Sequence, residues 1–385
     1  MAFALGWGIP GRATKRLSRG WTAIENQILS CLPHLEKYGA KMPLDLTETL
    51  VVGISATALF DLSEADREFQ AKLKDHPDTA IIEYRRYMLE HEDEPLNDGT
   101  GMPLIKALLN LNNNQSAGDK TPIVEVVVIS RNSPETGFRV LKEIRRRGLN
   151  ITRSAFTAGE PSADYLEAFY VDLLLTTNER DAQQVADSKV CACAIVKEPP
   201  INSGELKYDQ VRFAFDADAV LFSEDSELVN HTEGLETFWK TEDLNKDVPL
   251  QEGPHANLLK KLSAIQWRLP GRIEFSPVRV AIMTARNSPA EIRVINTIRS
   301  WNVYVDQAFF LGGLQKSRFL KAFKPHIFFD DQDAHLDPAA LDVPSAKVLY
   351  PSDSPLKQLI EDEKANKALH PIAGVTTATS ASEDG

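Results

Sequence analysis

The sequence predicts an α/β fold built from two tandem related Rossmann-like units with mainly parallel sheets, of which only the second carries a complete catalytic set. Three observations predict it. An ordered internal repeat runs through the chain at an offset of 154 to 155 residues, strand-like apolar runs alternate with helical stretches in both copies, and acidic residues gather at strand ends in one copy alone. Alternating strands and helices imply a largely parallel sheet, whose ligands sit at the carboxyl ends of the strands.

The repeat is explicit. Arg131-Asn132-Ser133-Pro134 recurs as Arg286-Asn287-Ser288-Pro289, and RVLKEIR from Arg139 recurs as RVINTIR from Arg293. Phe156, Gly159, Leu166, Ala168 and Phe169 recur as Phe310, Gly313, Leu320, Ala322 and Phe323, and Pro95-Leu96-Asn97-Asp98-Gly99 recurs as Pro249-Leu250-Gln251-Glu252-Gly253. A period this long is far beyond the 20 to 50 residues of a solenoid unit and points to a duplicated domain.

Each copy opens on an apolar run read as a strand, Leu50 to Leu59 and Val211 to Phe222. A polar helical insertion and an amphipathic helix ending near Leu111 or Gln266 follow. A second strand, Ile123 to Ile129 or Val278 to Met283, closes on Asn-Ser-Pro, where Ser133 and Ser288 read as helix N-caps and Pro134 and Pro289 as first helical residues. A further strand, a short helix and a third apolar run, Val171 to Leu175 or Ile327 to Phe329, complete the unit. The organisation expected is an N-terminal extension over 1–46, a first unit over 47–198, a linker over 199–206 and a second unit over 207–352 with a small cap insertion over about 224–252. A C-terminal segment over 353–373 and a small, polar, disordered tail over 374–385 follow.

Composition narrows the function classes. The 385 residues are 43% hydrophobic and 25% charged, as in an ordinary folded protein, and the formal charge is −12. That balance argues against a nucleic-acid polymer or an anionic membrane as partner. No apolar run reaches a membrane span, and the opening MAFALGWGIPGRATKR places its apolar stretch before its basic residues, the reverse of a secretory signal; a cytoplasmic protein is expected. Three cysteines give no disulfide framework. Cys191-Ala-Cys193 reads as two small side chains on one face of a buried strand, with a metal-binding fragment as the alternative.

The copies differ in chemical type at strand ends. Asp216-Ala-Asp218 stands where the first copy has Ser55-Ala-Thr57, Thr284 where it has Ile129, Lys316 where it has Ser162, and Asp330-Asp331 where it has Thr176-Thr177. Four carboxylates on one sheet edge repel one another unless a cation neutralises them, and oxygen donors with room for water and phosphate suit Mg²⁺. An Asp at a strand end can attack phosphorus while a second carboxyl protonates the leaving oxygen. Each part alone has a plainer reading, as turn, cap or solvated side chain; jointly and in this order they read as catalytic. Arg286, at the start of the following helix, is a further phosphate ligand, or shares a structural role with Arg131.

At these residues, FAFDADAVLF, IMTAR, Lys316 within GGLQKSRFL, and HIFFDDQ, the sequence resembles the haloacid dehalogenase-like (HAD-like) hydrolase superfamily. FDADAVLFSEDSE, LEHEDEPL and PHIFFDDQ together resemble the cytosolic 5'-nucleotidase type I family over roughly residues 48–350. The resemblance implies that Asp216 is the nucleophile and Asp218 the general acid/base. It implies Mg²⁺ held by Asp216, the backbone carbonyl of Asp218, Asp330 and Asp331, with phosphate held by Thr284 and Lys316. It further implies hydrolysis of nucleoside 5'-monophosphates as small-molecule substrates. The alternatives are a phosphatase or phosphotransferase for another small phosphoester, and a silent nucleotide-binding regulator; a homo-oligomer is left open. Ser55, Thr57, Arg131 and Asn132 of the first unit either face the substrate or belong to a structural domain, and the structural reading is favoured. Phe238 and Trp239 in the insertion either stack on a base or, the preferred reading, pack in the core. His326 and His335 are read as structural because carboxylates already fill the metal and acid/base roles.

Overall fold

In the computed structural model the described residues are 44–369, apart from 116, 117, 119, 120, 203 and 270–275. Nearly all of the expected N-terminal extension, and the tail over 374–385, lie outside them. Twelve strands occur among the described residues. They are β1 (Leu50–Ile54), β2 (Phe60–Asp61), β3 (Asn97–Asp98), β4 (Val124–Ser130), β5 (Arg153–Phe156), β6 (Leu173–Thr176), β7 (Ala192–Val196), β8 (Val211–Phe215), β9 (Val278–Thr284), β10 (Gln307–Phe310), β11 (Ile327–Asp330) and β12 (Ser345–Lys347).

Ten of them form one sheet in the order β10-β9-β8-β11-β12-β7-β6-β1-β4-β5. The repeat led us to expect a sheet for each unit; the chain builds a single continuous one. Within each half the order is the same. Counting strands in chain order, both halves read third, second, first, fourth, fifth, the arrangement of a doubly wound α/β sheet. Every pairing is parallel except the joint, where β12 meets β7 antiparallel through Ala346–Val196 and Lys347–Ile195. That single reversal turns the carboxyl ends of the two sets of strands toward opposite rims.

The strands are shorter than the apolar runs that announced them. In the first run the chain leaves the sheet at Ser55, whose side chain accepts a hydrogen bond from Ala58 N and starts the helix Ala56–Leu59. In the second it leaves at Asp216, and Leu221 N and Phe222 N both donate to Ala217 O in a tight turn, with Ala219 at φ 57°. Both segments stay buried, which is why periodicity alone extended the strands. Each turn leads into a two-helix insertion, Ser63–Asp75 with Ala80–Glu90 and Asp225–Glu233 with Leu235–Leu244. Each insertion is closed by an antiparallel contact, Phe60 with Asp98 and Phe222 with Glu252. The repeated Gly99 and Gly253 sit at this closure because a Cβ there would meet Ala58 O at 2.6 Å or Phe222 O at 2.3 Å.

Helix starts correct one expectation. The helices after the Asn-Ser-Pro motifs begin at Phe138 and Glu291, several residues beyond the serines. Ser133 instead accepts from Thr136 N in the preceding turn at 3.2 Å, and the Ser288–Pro289 peptide is cis. A local turn competes with helix capping for the same hydroxyl. Cys193 is buried in an apolar cluster with Val51, Val127 and Leu174, with Cys191 packed against it, in keeping with the strand reading. Burial pushes both thiols up, Cys191 to about 12, so they behave as core residues.

The largest apolar cluster runs across both halves. Phe215 stacks on Phe329 with ring centroids 5.2 Å apart, joining β8 to β11 beneath the strand ends that carry the acidic residues. Burying each such ring is worth roughly 1.5–3 kcal/mol, so the platform under these residues is rigid. Helices cover both faces, and no helix among the described residues is long and apolar enough to cross a membrane.

Candidate active site

The first strand of a doubly wound half and its fourth neighbour border the switch point, where helices depart to opposite faces and a crevice opens. In the second half those strands are β8 and β11. Asp216 follows β8 and donates its backbone N–H to Phe329 O at 2.8 Å, so strand pairing itself sets Asp216 beside Asp330. Asp330 ends β11, Asp331 follows it, and carboxylate oxygens of Asp216, Asp330 and Asp331 lie within 4.8 Å of one another.

Lys316 heads the helix Lys316–Phe323. Its ammonium is buried and stands 2.7 Å from Asp216 Oδ1 and 2.7 Å from Asp330 Oδ2. Burial pushes the Asp216 carboxyl up, Lys316 opposes it, and the charges of Asp330 and Asp218 add to it, leaving it at about 6. Burial also pushes Asp330 up, but Lys316 and His335 hold it below the usual carboxylate range. Lys316 is held above its ordinary value by the two carboxylates despite burial.

Asp331 has no such cation. Burial, then the charges of Asp330 and Asp216, raise it well above the usual value. Tyr350 donates to its Oδ2, while its buried Oδ1 has no hydrogen-bond partner. Three converging carboxylates, one orphaned buried oxygen and a single ammonium leave negative charge uncompensated. That donor set fits a hard divalent cation such as Mg²⁺, which takes oxygen ligands. The acidic cluster could therefore hold a metal.

Thr284 ends β9 and its Oγ1 accepts from Arg286 N at 3.1 Å, leaving the hydroxyl proton free to donate. Arg286 is aimed differently from the phosphate ligand we expected. Its Nε and Nη2 donate to Asp218 Oδ2 and Oδ1 at 2.8 and 2.6 Å, and its Nη1 donates to Glu242. All three guanidinium nitrogens thus go to carboxylates. The plane of Arg286 lies over the Phe238 ring, 5.3 Å from its centroid, so Phe238 packs under an arginine and the core reading fits it.

Several site residues were not singled out from the sequence. Glu242, on the insertion helix Leu235–Leu244, also accepts from Arg293 Nη1 at 2.8 Å and from Ser226 Oγ at 2.9 Å. Glu227, on the other insertion helix, accepts from Gln332 Nε2 at 3.0 Å, and burial with the charges of Asp218 and Asp216 raises it to about 7. His335, which the sequence does single out and which reads there as structural, has Nδ1 3.3 Å from Asp330 Oδ2 and so borders the acidic cluster. His326 is structural as expected: its Nδ1 accepts from Arg212 N at 3.1 Å and its Nε2 lies 3.0 Å from Lys207 O. A signal existed for Glu242, which falls one helical turn after Phe238 on the same face.

Ser55, Thr57, Arg131 and Asn132 do not join this cluster. The antiparallel joint turns them toward the other rim, and β1 lies five strand spacings from β8, about 24 Å at the usual separation. There the hydroxyls pair among themselves, Ser55 with Thr57 at 3.1 Å and Thr57 with Thr177 at 2.5 Å. Arg131 grips Asp181 through Nε and Nη2, and Asn132 is held by backbone turn contacts.

Fold and site together define a doubly wound α/β protein with a buried carboxylate–lysine cluster at a switch point. The chain belongs to the 5'-nucleotidase family, whose model matches residues 42–355. It is 28% identical over 297 residues to human cytosolic 5'-nucleotidase 1B, an alignment that covers 75% of this chain and 47% of the relative. The chain thus spans about half the length of that relative.

Proposed function

We propose that this chain hydrolyses nucleoside 5'-monophosphates to nucleoside and phosphate through an aspartyl-phosphate on Asp216, with Mg²⁺ as cofactor. Family membership supports the reaction class. The observation that carries the mechanism is the buried ammonium of Lys316 shared between Asp216 and Asp330, beside the unpaired Oδ1 of Asp331.

Asp216, Asp330 and Asp331, with the backbone carbonyl of Asp218, would hold the ion. Once bound, Mg²⁺ supplies charge compensation for phosphoryl oxygens entering an acidic pocket. Lys316 and the Thr284 hydroxyl hold those oxygens from the protein side. A carboxylate oxygen of Asp216 bonds to phosphorus while the bond from phosphorus to the 5'-oxygen breaks. The electron pair stays on that oxygen, which takes a proton from Asp218. In the second half a water bonds to phosphorus and gives its proton to Asp218 as the bond to Asp216 breaks. Phe215 and Phe329 beneath the strand ends keep these side chains in place.

The reading is tested by phosphate release from a panel of nucleoside monophosphates and sugar phosphates, with and without EDTA and added acceptor nucleoside. Release confined to nucleotides and lost with EDTA supports it. Full activity in EDTA, or release from sugar phosphates alone, contradicts it.

A further inference from the structure

The cap insertion and the proposed acid are joined by an unbroken chain of buried charges. Asp218 receives two hydrogen bonds from Arg286, Arg286 donates its remaining Nη1 to Glu242, and Glu242 accepts in turn from Arg293 and Ser226. The side chains of Arg286 and Glu242 are 2% and 1% exposed. Arg286 follows β9 and Arg293 lies on the helix Glu291–Ser300, whereas Glu242, Ser226 and Phe238 all come from the insertion. With Asp218 ionised, two arginines and two carboxylates balance while the insertion is seated.

We propose that Glu242 is a positioning residue for the reaction: it fixes Arg286, and Arg286 in turn aims the Asp218 carboxyl at the leaving oxygen. The inference rests on Asp218 being the acid/base. A carboxylate offers about four lone-pair sites, and a bidentate guanidinium occupies one on each oxygen. One site on each oxygen therefore stays open for the transferring proton while the group is prevented from rotating. Without Glu242, Arg286 would carry an unmatched charge on Nη1 and be free to swing toward an incoming phosphate, releasing Asp218. The same contact links seating of the insertion to readiness of the acid. A cap that closes over substrate thus completes the proton-transfer geometry in the same movement.

The test uses leaving groups. Protonation matters for a nucleoside alkoxide and much less for a thiolate, so each enzyme is assayed on a nucleoside 5'-monophosphate and on its analogue with sulfur in place of the bridging 5'-oxygen. The rate read is first-turnover release of the leaving group, because hydrolysis of the shared aspartyl-phosphate also uses Asp218 whatever group has left. For Glu242→Gln that rate on the oxygen ester is expected to fall about 10- to 100-fold, up to the lower edge of the roughly 10²- to 10⁴-fold supplied by a fully lost acid-base group. In that first turnover the sulfur ester should release its thiol within about threefold of the wild-type rate. The ratio of the two rates does not depend on how much protein is folded. Equal losses on both esters would overturn the inference and leave Glu242 as packing. Asp218→Asn is the control for the underlying reading and should show the same selectivity, more strongly. Selective loss in Asp218→Asn without it in Glu242→Gln sinks the inference alone; equal losses in Asp218→Asn sink the acid assignment and the inference with it.

Discussion

Lys316 Nζ stands 2.7 Å from Asp216 Oδ1, and both groups are buried. A buried ammonium of this kind is a structural element of the pocket, because two carboxylates share it. Lys316→Met should therefore lower stability by roughly 3–5 kcal/mol, the cost of stripping a buried charge of its partner. Urea unfolding of the metal-free protein measures this, and a change below about 1 kcal/mol would show that the ion pair is not holding the pocket together.

Asp331 carries the orphaned oxygen, which makes it the sharpest probe of metal binding. EDTA is expected to abolish phosphate release and Mg²⁺ to restore it. Mg²⁺ should also raise the Tm of the wild type, because a ligand that binds only the folded state stabilises it. Asp331→Asn should need about tenfold more Mg²⁺ for either effect. An unchanged Mg²⁺ requirement in Asp331→Asn would remove that residue from the metal set.

Glu227 gives a pH dependence. Its folded value of about 7, raised chiefly by burial, exceeds the ordinary 4.5. Ionising it costs more in the folded than in the unfolded chain, so its contribution is fully present below about pH 4.5 and is lost as pH rises through about 7. Glu227→Gln should thus be more stable than wild type by about 3 kcal/mol at pH 8 and indistinguishable near pH 4. Urea titrations at the two pH values, in EDTA, decide it; no gain at pH 8 contradicts the assignment.

The first half should tolerate changes that the second cannot. Ser55→Ala is expected to leave kcat and KM within about twofold, since Ser55 faces the other rim and interacts with Thr57. Arg131→Ala should likewise spare turnover but destabilise by about 1–3 kcal/mol, because it leaves the buried Asp181 carboxylate without its fork. A tenfold rise in KM in either variant would bring the first half into substrate binding.

The sequence exposed this site to the extent that strands position it. Asp216, Thr284 and Asp330 could be read because each ends an apolar run whose burial forces it into the sheet, and Lys316 because it opens the next helix. Glu242, Glu227 and Tyr350 were hidden for the opposite reason. They lie on the insertion and on the stretch that follows β12, and which of their faces meets the site depends on how those pieces dock. The shared strand order of the two halves was implicit in the repeat, but the reversal at β7–β12 was not. Nothing in two similar units specifies whether their sheets join, or in which sense, and that reversal sends Ser55 and Arg131 away from the acidic cluster. Arg286 shows the same limit: its position beyond β9 was legible, while its commitment to Asp218 required a carboxylate from another segment.

The most direct measurement is acid-quenched single turnover with a nucleoside monophosphate carrying a labelled phosphoryl group, followed by mapping of the labelled peptide. Label is predicted on the peptide containing Asp216 and none in Asp216→Asn, which should lose roughly four orders of magnitude in kcat. Label on another residue, or wild-type turnover by Asp216→Asn, would contradict the account.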